Sequence, residues 1–121
     1  MDAKWFTGVL LSGAMFLLPR AGHAHAFLDH ADPRVGSTVR SPPAAVTLTF
    51  TEDVEAAFSK LEVIDGDGKA VAVGTLEHPA EGVLRVSLPS LPTGSYRVNW
   101  KVVSVDTHET EGSFTFSIAA P

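Results

Sequence analysis

Apolar and polar residues alternate along much of the chain, which is typical of β-strands that bury one face. The segment "VTLTFT" (46–51) alternates apolar residues with threonine. The segment "KLEVID" (60–65) places Leu61 and Val63 on one face and charged residues on the other. The segments "KAVAVG" and "GVLRVSL" continue the alternation. The pattern therefore predicts a series of short strands.

Two longer alternating segments lie near the C-terminus. In "LPTGSYRVNWKVVSVD" (91–106), the residues on the apolar face are Tyr96, Val98, Trp100 and Val102. In "GSFTFSIAA" (112–120), they are Phe114, Phe116 and Ile118. The Leu-x-x-Gly-x-Tyr sequence before the first of these strands resembles the tyrosine corner of immunoglobulin-like sandwiches, in which the hydroxyl bonds to the backbone upstream.

Turn signals separate these segments at intervals of about ten residues, as in an all-β sandwich. "DGDG" (65–68) predicts a tight hairpin turn, because Asp-Gly tolerates the positive φ that such turns require. "EDVEAAFSK" could form one helical turn with Val54, Ala57 and Phe58 on one side. We predict one all-β domain, an immunoglobulin-like β-sandwich of about seven antiparallel strands.

Residues 5–18 form an uncharged, largely apolar run of 14 residues that follows a lysine and leads into small residues. A helix needs about 20 residues to cross a bilayer, and this layout is that of a secretory signal peptide. We predict that residues 1–24 are a signal peptide cleaved after Ala24 and that residues 25–121 form the exported domain. Cleavage after Ala26 satisfies the same small-residue rule, and an uncleaved N-terminal anchor is the structural alternative.

The predicted domain is acidic. Two of the nine Lys and Arg residues and one of the fourteen Asp and Glu residues lie in residues 1–24, so residues 25–121 carry a formal charge of about −6. Nucleic-acid binding depends on neutralisation of phosphates by Lys and Arg, so this charge argues against a nucleic-acid partner. The predicted domain has no basic amphipathic segment, so we expect no insertion into a membrane after processing.

Sulfur is absent from the predicted domain, because the chain has no cysteine and its two methionines are Met1 and Met15. Any metal site must therefore use nitrogen and oxygen ligands. This composition excludes the thiolate and thioether sites that select Cu(I).

Cleavage after Ala24 would make His25 the first residue of the domain. A terminal histidine offers two ligands, the α-amine and the imidazole Nδ1, which together close a chelate ring known as a histidine brace. An α-amine ordinarily has a pKa near 7.7–8.0, so a metal can displace its proton at neutral pH.

The segment "DTHETEG" (106–112) supplies the second candidate group. Asp106 and His108 are two residues apart, so in an extended chain they point to the same face. With the amine and Nδ1 of His25 they would provide three nitrogens and one oxygen, a set that suits tetragonal Cu(II). Glu109 or Glu111 could hold the other nitrogen of a ligand imidazole. Taken alone, an Asp-x-His pair in a small β-protein is typical of a turn with a surface histidine.

The remaining candidates are weaker. We expect His30 to be a surface or rim residue and His78, in "EHPAEG", to be a solvated turn residue. Asp65 and Asp67 resemble the start of a calcium loop, but Gly74 stands where the bidentate glutamate is needed, which favours a hairpin. The chain has no cysteine nucleophile, Gly-x-Ser-x-Gly motif or phosphate loop, so hydrolytic and nucleotide chemistry have no support.

The chain as a whole resembles the CopC family of periplasmic copper-binding proteins over roughly residues 25–118. The resemblance is carried by the His-Ala start after the signal, by "LTFTEDV" and "GSYRVNWKVVSVD", and by the Asp-x-His-x-Thr-x-Gly run from Asp106 to Gly112. It implies an immunoglobulin-like β-sandwich or Greek-key barrel. It also implies tight Cu(II) binding by the positions that match the family ligands, His25, Asp106 and His108, with Thr110 and Gly112 shaping the loop.

Some members of that family also bind Cu(I) through a methionine-rich stretch, which this sequence lacks. The resemblance therefore implies a monomeric, non-enzymatic Cu(II) carrier or buffer in copper homeostasis or resistance. It could deliver copper to a CopD-type inner-membrane importer. Two alternatives remain at this point: a small copper oxidase or oxygenase built on the same histidine brace, and an immunoglobulin-like interaction module without metal.

Overall fold

The computed structural model describes residues 25–121, so the predicted signal peptide lies outside the described residues. Eight strands form two four-stranded sheets, in the orders β1-β3-β6-β5 and β2-β8-β7-β4. The strands are β1 (Leu28–Asp32), β2 (Thr38–Val39), β3 (Ala45–Phe50), β4 (Lys60–Ile64), β5 (Glu77–Ala80), β6 (Val83–Ser87), β7 (Gly94–Val103) and β8 (Glu109–Ile118). A short 3-10 helix, Ala56–Phe58, precedes β4.

The apolar faces of the two sheets pack against each other to form one core. Every second residue of β3 and β7 is buried, as their alternation predicts. The rings of Phe50 and Trp100 join the two sheets in an edge-to-face contact with centroids 5.2 Å apart. The predicted all-β sandwich is confirmed, and so are the inward faces predicted for the two C-terminal strands.

The tyrosine corner is also confirmed. The hydroxyl of Tyr96 donates a hydrogen bond of 2.7 Å to the carbonyl oxygen of Pro92. Burial of the ring raises the pKa of Tyr96, and the negative charge of Asp65 raises it further. The corner fixes the start of β7 relative to the turn before it, and β7 leads to the opposite end of the sandwich.

Three details of the predicted fold are wrong. The sandwich is not wholly antiparallel, because β2 pairs with β8 in parallel, with Thr38 opposite Ser117. The segment "KAVAVG" is not a strand; only Ala70 forms a bridge, to Ile64. The helical turn exists, but Phe58 is 72% exposed and only Val54 of the predicted apolar side is buried.

The two ends of the sandwich differ in their chemistry. The hairpin turn predicted at "DGDG" is present, with Gly68 at φ +83°, and it lies at the far end of β4. The loop between β7 and β8 lies at the other end and carries the Asp-x-His motif. Within residues 25–121 no helix is long and apolar enough to cross a membrane.

Candidate metal centre

Two histidines from opposite ends of the described chain meet at one end of the sandwich. The imidazole rings of His25 and His108 have centroids 4.8 Å apart and planes at 74°. His25 lies just before β1 and is partly buried, whereas His108 is exposed in the loop between β7 and β8. Phe27 packs its ring edge-to-face on His25, with centroids 5.9 Å apart. The fold thus places the rings of His25 and His108 side by side.

The loop that carries His108 is closed by backbone hydrogen bonds. The N–H of Ser104 donates to the carbonyl oxygen of His108 at 2.9 Å, and the N–H of Thr107 donates to that of Ser104 at 2.8 Å. Thr107 has φ +70°, a left-handed conformation that turns the chain sharply. The loop therefore reverses the chain within four residues and presents His108 at the start of β8.

Asp106 lies in this turn and its side chain is exposed. The prediction that Asp106 and His108 share a face assumed an extended chain, and that assumption is wrong because the turn at Thr107 separates them. Across residues 25–121, no three His, Asp or Glu side chains form a group that could hold a metal ion. The structure thus brings two of the three predicted ligands together and leaves the third in the same loop.

The backbone beside His25 is tied to both sheets. Thr110 Oγ1 of β8 donates a hydrogen bond of 2.6 Å to the carbonyl oxygen of Ala26. Phe27 N–H donates to Thr51 Oγ1 at 3.0 Å, and Thr51 N–H donates back to the Phe27 carbonyl at 2.9 Å. Thr110 was expected to shape its own loop, whereas its hydroxyl contacts the N-terminal segment instead.

A second polar cluster, which the sequence did not reveal, joins His78 to Asp53. His78 Nε2 lies 3.0 Å from Asp53 Oδ1, and the N–H of Gly82 donates to the same oxygen at 2.8 Å. The Gly82 hydrogen bond is the main reason that the pKa of Asp53 is lowered, and His78 lowers it further. The prediction that His78 lies in a turn is wrong, because it lies in β5; it is exposed, as predicted, and is also paired with Asp53.

Several other charged residues have local partners. His30 is exposed, as predicted, with Nδ1 3.1 Å from Asp29 Oδ2. Glu109 forms an ion pair with Lys101 at 3.3 Å. Asp65 Oδ1 accepts hydrogen bonds from two backbone N–H groups of its own hairpin, as expected for a turn.

The spacing of the histidine rings fits a shared metal ion. An imidazole nitrogen binds a divalent ion at about 2 Å, so two rings on one ion have centroids about 4.5 to 6.5 Å apart. The 4.8 Å between His25 and His108 falls within that interval. Two imidazoles suit a borderline transition metal rather than Ca²⁺ or Mg²⁺, which prefer oxygen ligands alone.

Comparison with known proteins identifies the family. A model of the CopC domain matches residues 28–119, which include β1, both long C-terminal strands and the loop that carries His108. The chain belongs to the CopC family. The resemblance seen in the sequence is therefore confirmed, and it covers the whole sandwich.

Two relatives are identical to this chain at about a third of the aligned residues. Protein YobA of Escherichia coli strain K12 is 36% identical over 98 residues, covering 78% of this chain and 79% of YobA. Copper resistance protein C of Xanthomonas campestris pv. juglandis is 33% identical over 114 residues, covering 87% of this chain and 88% of that protein.

Two solved structures of the family have the same fold. CopC from Methylosinus trichosporium OB3b gives a TM-score of 0.73 at 33% identity, covering 79% of this chain and 95% of that one. PcoC, a methionine-rich copper resistance protein from Escherichia coli, gives a TM-score of 0.74 at 28% identity, covering 79% of this chain and 100% of PcoC. These similarities span nearly the whole of both solved chains.

Proposed function

We propose that residues 25–121, released by cleavage after Ala24, act in the periplasm as a Cu(II) carrier or buffer in copper homeostasis or resistance. The observation that carries this proposal is the contact between the rings of His25 and His108. These residues come from the two ends of the domain, so their meeting is a property of the tertiary fold. Membership of the CopC family, with relatives named copper resistance protein C, supports copper as the metal.

Four ligand atoms from three residues would hold the ion. His25 supplies its α-amine and Nδ1, His108 supplies an imidazole nitrogen, and Asp106 supplies a carboxylate oxygen. Asp106 is exposed and belongs to the same turn as His108, and its carboxylate would turn toward the ion when copper binds. The carboxylate would also neutralise part of the ionic charge, which strengthens binding in a partly desolvated site.

The oxidation state follows from the available donor atoms. The described residues contain no sulfur ligand, and nitrogen and oxygen donors in one plane favour Cu(II) over Cu(I). PcoC is described as methionine rich, and this chain has no methionine after residue 15. We therefore propose one Cu(II) site and no second site for Cu(I).

Binding without turnover completes the proposal. His25, His108 and Asp106 would together supply four donor atoms that hold the ion, and none of them would serve to activate an oxidant. The monomeric protein would pass its ion to a membrane importer of the CopD type. An oxidation assay with ascorbate or peroxide, in which the copper-loaded protein should be no faster than its His108→Ala variant, tests the absence of turnover.

The deciding experiment changes one ligand atom. Cu(II) would be titrated, in competition with a chelator, into the protein that begins at His25 and into the same protein with its α-amine acetylated. Acetylation removes the amine as a ligand and leaves the imidazole intact. We expect the acetylated form to bind at least about a thousandfold more weakly, because a chelate ring is lost, and to show fewer nitrogen couplings in its electron paramagnetic resonance spectrum.

A matched control separates this effect from a general change at the N-terminus. The His30→Ala variant removes an exposed imidazole only a few residues away and should bind Cu(II) as tightly as the unchanged protein. Equal affinity of the free and acetylated forms would exclude the brace. Binding no tighter than micromolar in both forms would favour the interaction module without metal.

A further inference from the structure

The two residues that follow His25 are held in place by the rest of the domain. Ala26 is completely buried, with 0% exposure, and its carbonyl oxygen accepts the hydrogen bond from Thr110. Phe27 is bonded through both its N–H and its carbonyl to Thr51. The Ala26–Phe27 and Phe27–Leu28 peptide units are thus anchored, so the backbone is held from the residue next to His25 onward.

The two anchors belong to different sheets. Thr51 directly follows β3, whereas Thr110 lies in β8. The N-terminal segment therefore bridges the open end of the sandwich. Thr110 is only two residues after His108. The beginning of β8 therefore holds both the His108 imidazole and the hydroxyl that bonds the backbone next to His25.

We propose that Thr110 is a positioning residue of the metal centre, whose hydroxyl, with that of Thr51, holds His25 against His108 before metal binds. This inference rests on the proposed function. A protein whose ligands are already in place loses less conformational freedom on binding, and affinity rises accordingly. The threonine hydroxyl makes no bond to copper; it sets the position of the residue that does.

The hydroxyl and the methyl group of Thr110 can be tested separately. Thr110→Val keeps the shape of the side chain and removes the hydrogen bond, whereas Thr110→Ser keeps the hydroxyl and removes the methyl group. A positioning role predicts that valine is defective and serine is not. A role in packing alone predicts that serine is defective and valine is not. Thr115→Val, at an exposed position of the same strand, is the matched control.

The first measurement uses the protein that begins at His25, without metal. Nuclear magnetic resonance should show a nuclear Overhauser contact between the ring protons of His25 and His108, and slow exchange of the Phe27 amide. In Thr110→Val we expect the ring contact to disappear and exchange of that amide to accelerate at least tenfold. Thr110→Ser and Thr115→Val should retain both features.

The second measurement is Cu(II) affinity by chelator competition. Thr110→Val should bind about tenfold more weakly, with an unchanged electron paramagnetic resonance spectrum once saturated, because the ligand atoms are the same. Thr110→Ser should restore the affinity. If Thr110→Val keeps the ring contact and binds within twofold of the unchanged protein, the positioning role is wrong.

These outcomes also separate the inference from the proposed function. If acetylation of the α-amine leaves copper affinity unchanged, the proposed function fails, while the metal-free spectra still test the anchoring of His25. If Thr110→Val does not fold, Thr51→Val removes the other hydroxyl and should cause the same loss of the ring contact. Retention of that contact in a folded Thr51→Val variant would overturn the two-hydroxyl arrangement.

Discussion

The ring of Trp100 lies directly over Gly112, its cross-strand partner in the β7–β8 ladder. A Cβ added at position 112 would stand 2.5 Å from a carbon of that ring, closer than atoms in a packed core tolerate. The glycine of the Asp-x-His-x-Thr-x-Gly run is therefore required by packing beneath the strand and not by the shape of the loop. The indole occupies the space that a side chain would need.

Gly112→Ala should consequently destabilise the domain. Overpacking of a filled core by one methyl group costs about 1 to 3 kcal/mol, and Trp100 also contacts Phe50 of the other sheet. Urea unfolding monitored by tryptophan fluorescence measures the change. Ser113→Ala, on the outward face of the same strand, should change stability by less than about 0.5 kcal/mol. Equal stability of the two variants would show that the indole has room to move.

His108→Ala should remove one nitrogen donor from the proposed copper site. We expect the Kd for Cu(II) to rise at least about a hundredfold, because loss of even an outer partner of a metal ligand costs tenfold to a hundredfold. The electron paramagnetic resonance spectrum should shift as well. His30→Ala is the control, and an unchanged spectrum in His108→Ala would remove this residue from the site.

Asp106→Asn tests whether the exposed carboxylate joins the site when copper binds. The substitution preserves size and removes the negative charge, so we expect the Kd to rise about tenfold, in keeping with a lost charge interaction near the surface. Glu109→Gln removes a charge from the strand next to the loop, where it pairs with Lys101, and should have a smaller effect. Identical affinities for both variants would mean that Asp106 acts only through net charge.

Asp53→Asn should lower the free energy of unfolding at neutral pH and change how that free energy depends on pH. The lowered pKa means that the ionised carboxylate stabilises the fold above its ordinary pKa of 3.8. That contribution is lost as the pH falls through the still lower folded-state value. We expect a loss of about 1 kcal/mol at pH 7, measured by urea unfolding, and convergence of the two proteins as the pH drops below 3.8.

The control for this prediction is Asp29→Asn. Asp29 also pairs with a histidine, but its side chain is 60% exposed, so the substitution should have little effect at any pH. A constant difference between Asp53→Asn and the unchanged protein down to pH 2 would show that the charge of Asp53 does not contribute.

The sequence predicted the long strands well because their period of two is strong and their inward residues are large. The tyrosine corner was predictable for a similar reason, since its bond joins residues four apart. Strands without alternation were not predicted. β5 is exposed at all four positions, and β2 contains two residues, too few to show any period.

Site geometry was less predictable than site composition. His25 and His108 could be named from their chemistry, but the assumption that Asp106 shares a face with His108 ignored the left-handed turn at Thr107. The hydrogen bonds from Thr110 to Ala26 and from His78 to Asp53 join residues far apart in sequence. Nothing in the local pattern of either partner indicates such contacts, because they arise only in the tertiary fold.

The burial of Ala26 bears on where the domain must begin. A chain cut after Ala26 would start at Phe27 and would lack a methyl group of the core, the carbonyl that Thr110 bonds, and His25 itself. Such a chain would leave a small void and a hydroxyl without its acceptor. We therefore expect cleavage after Ala24 rather than after Ala26, because a chain that begins at His25 keeps Ala26 in the core and keeps the acceptor of the Thr110 hydroxyl.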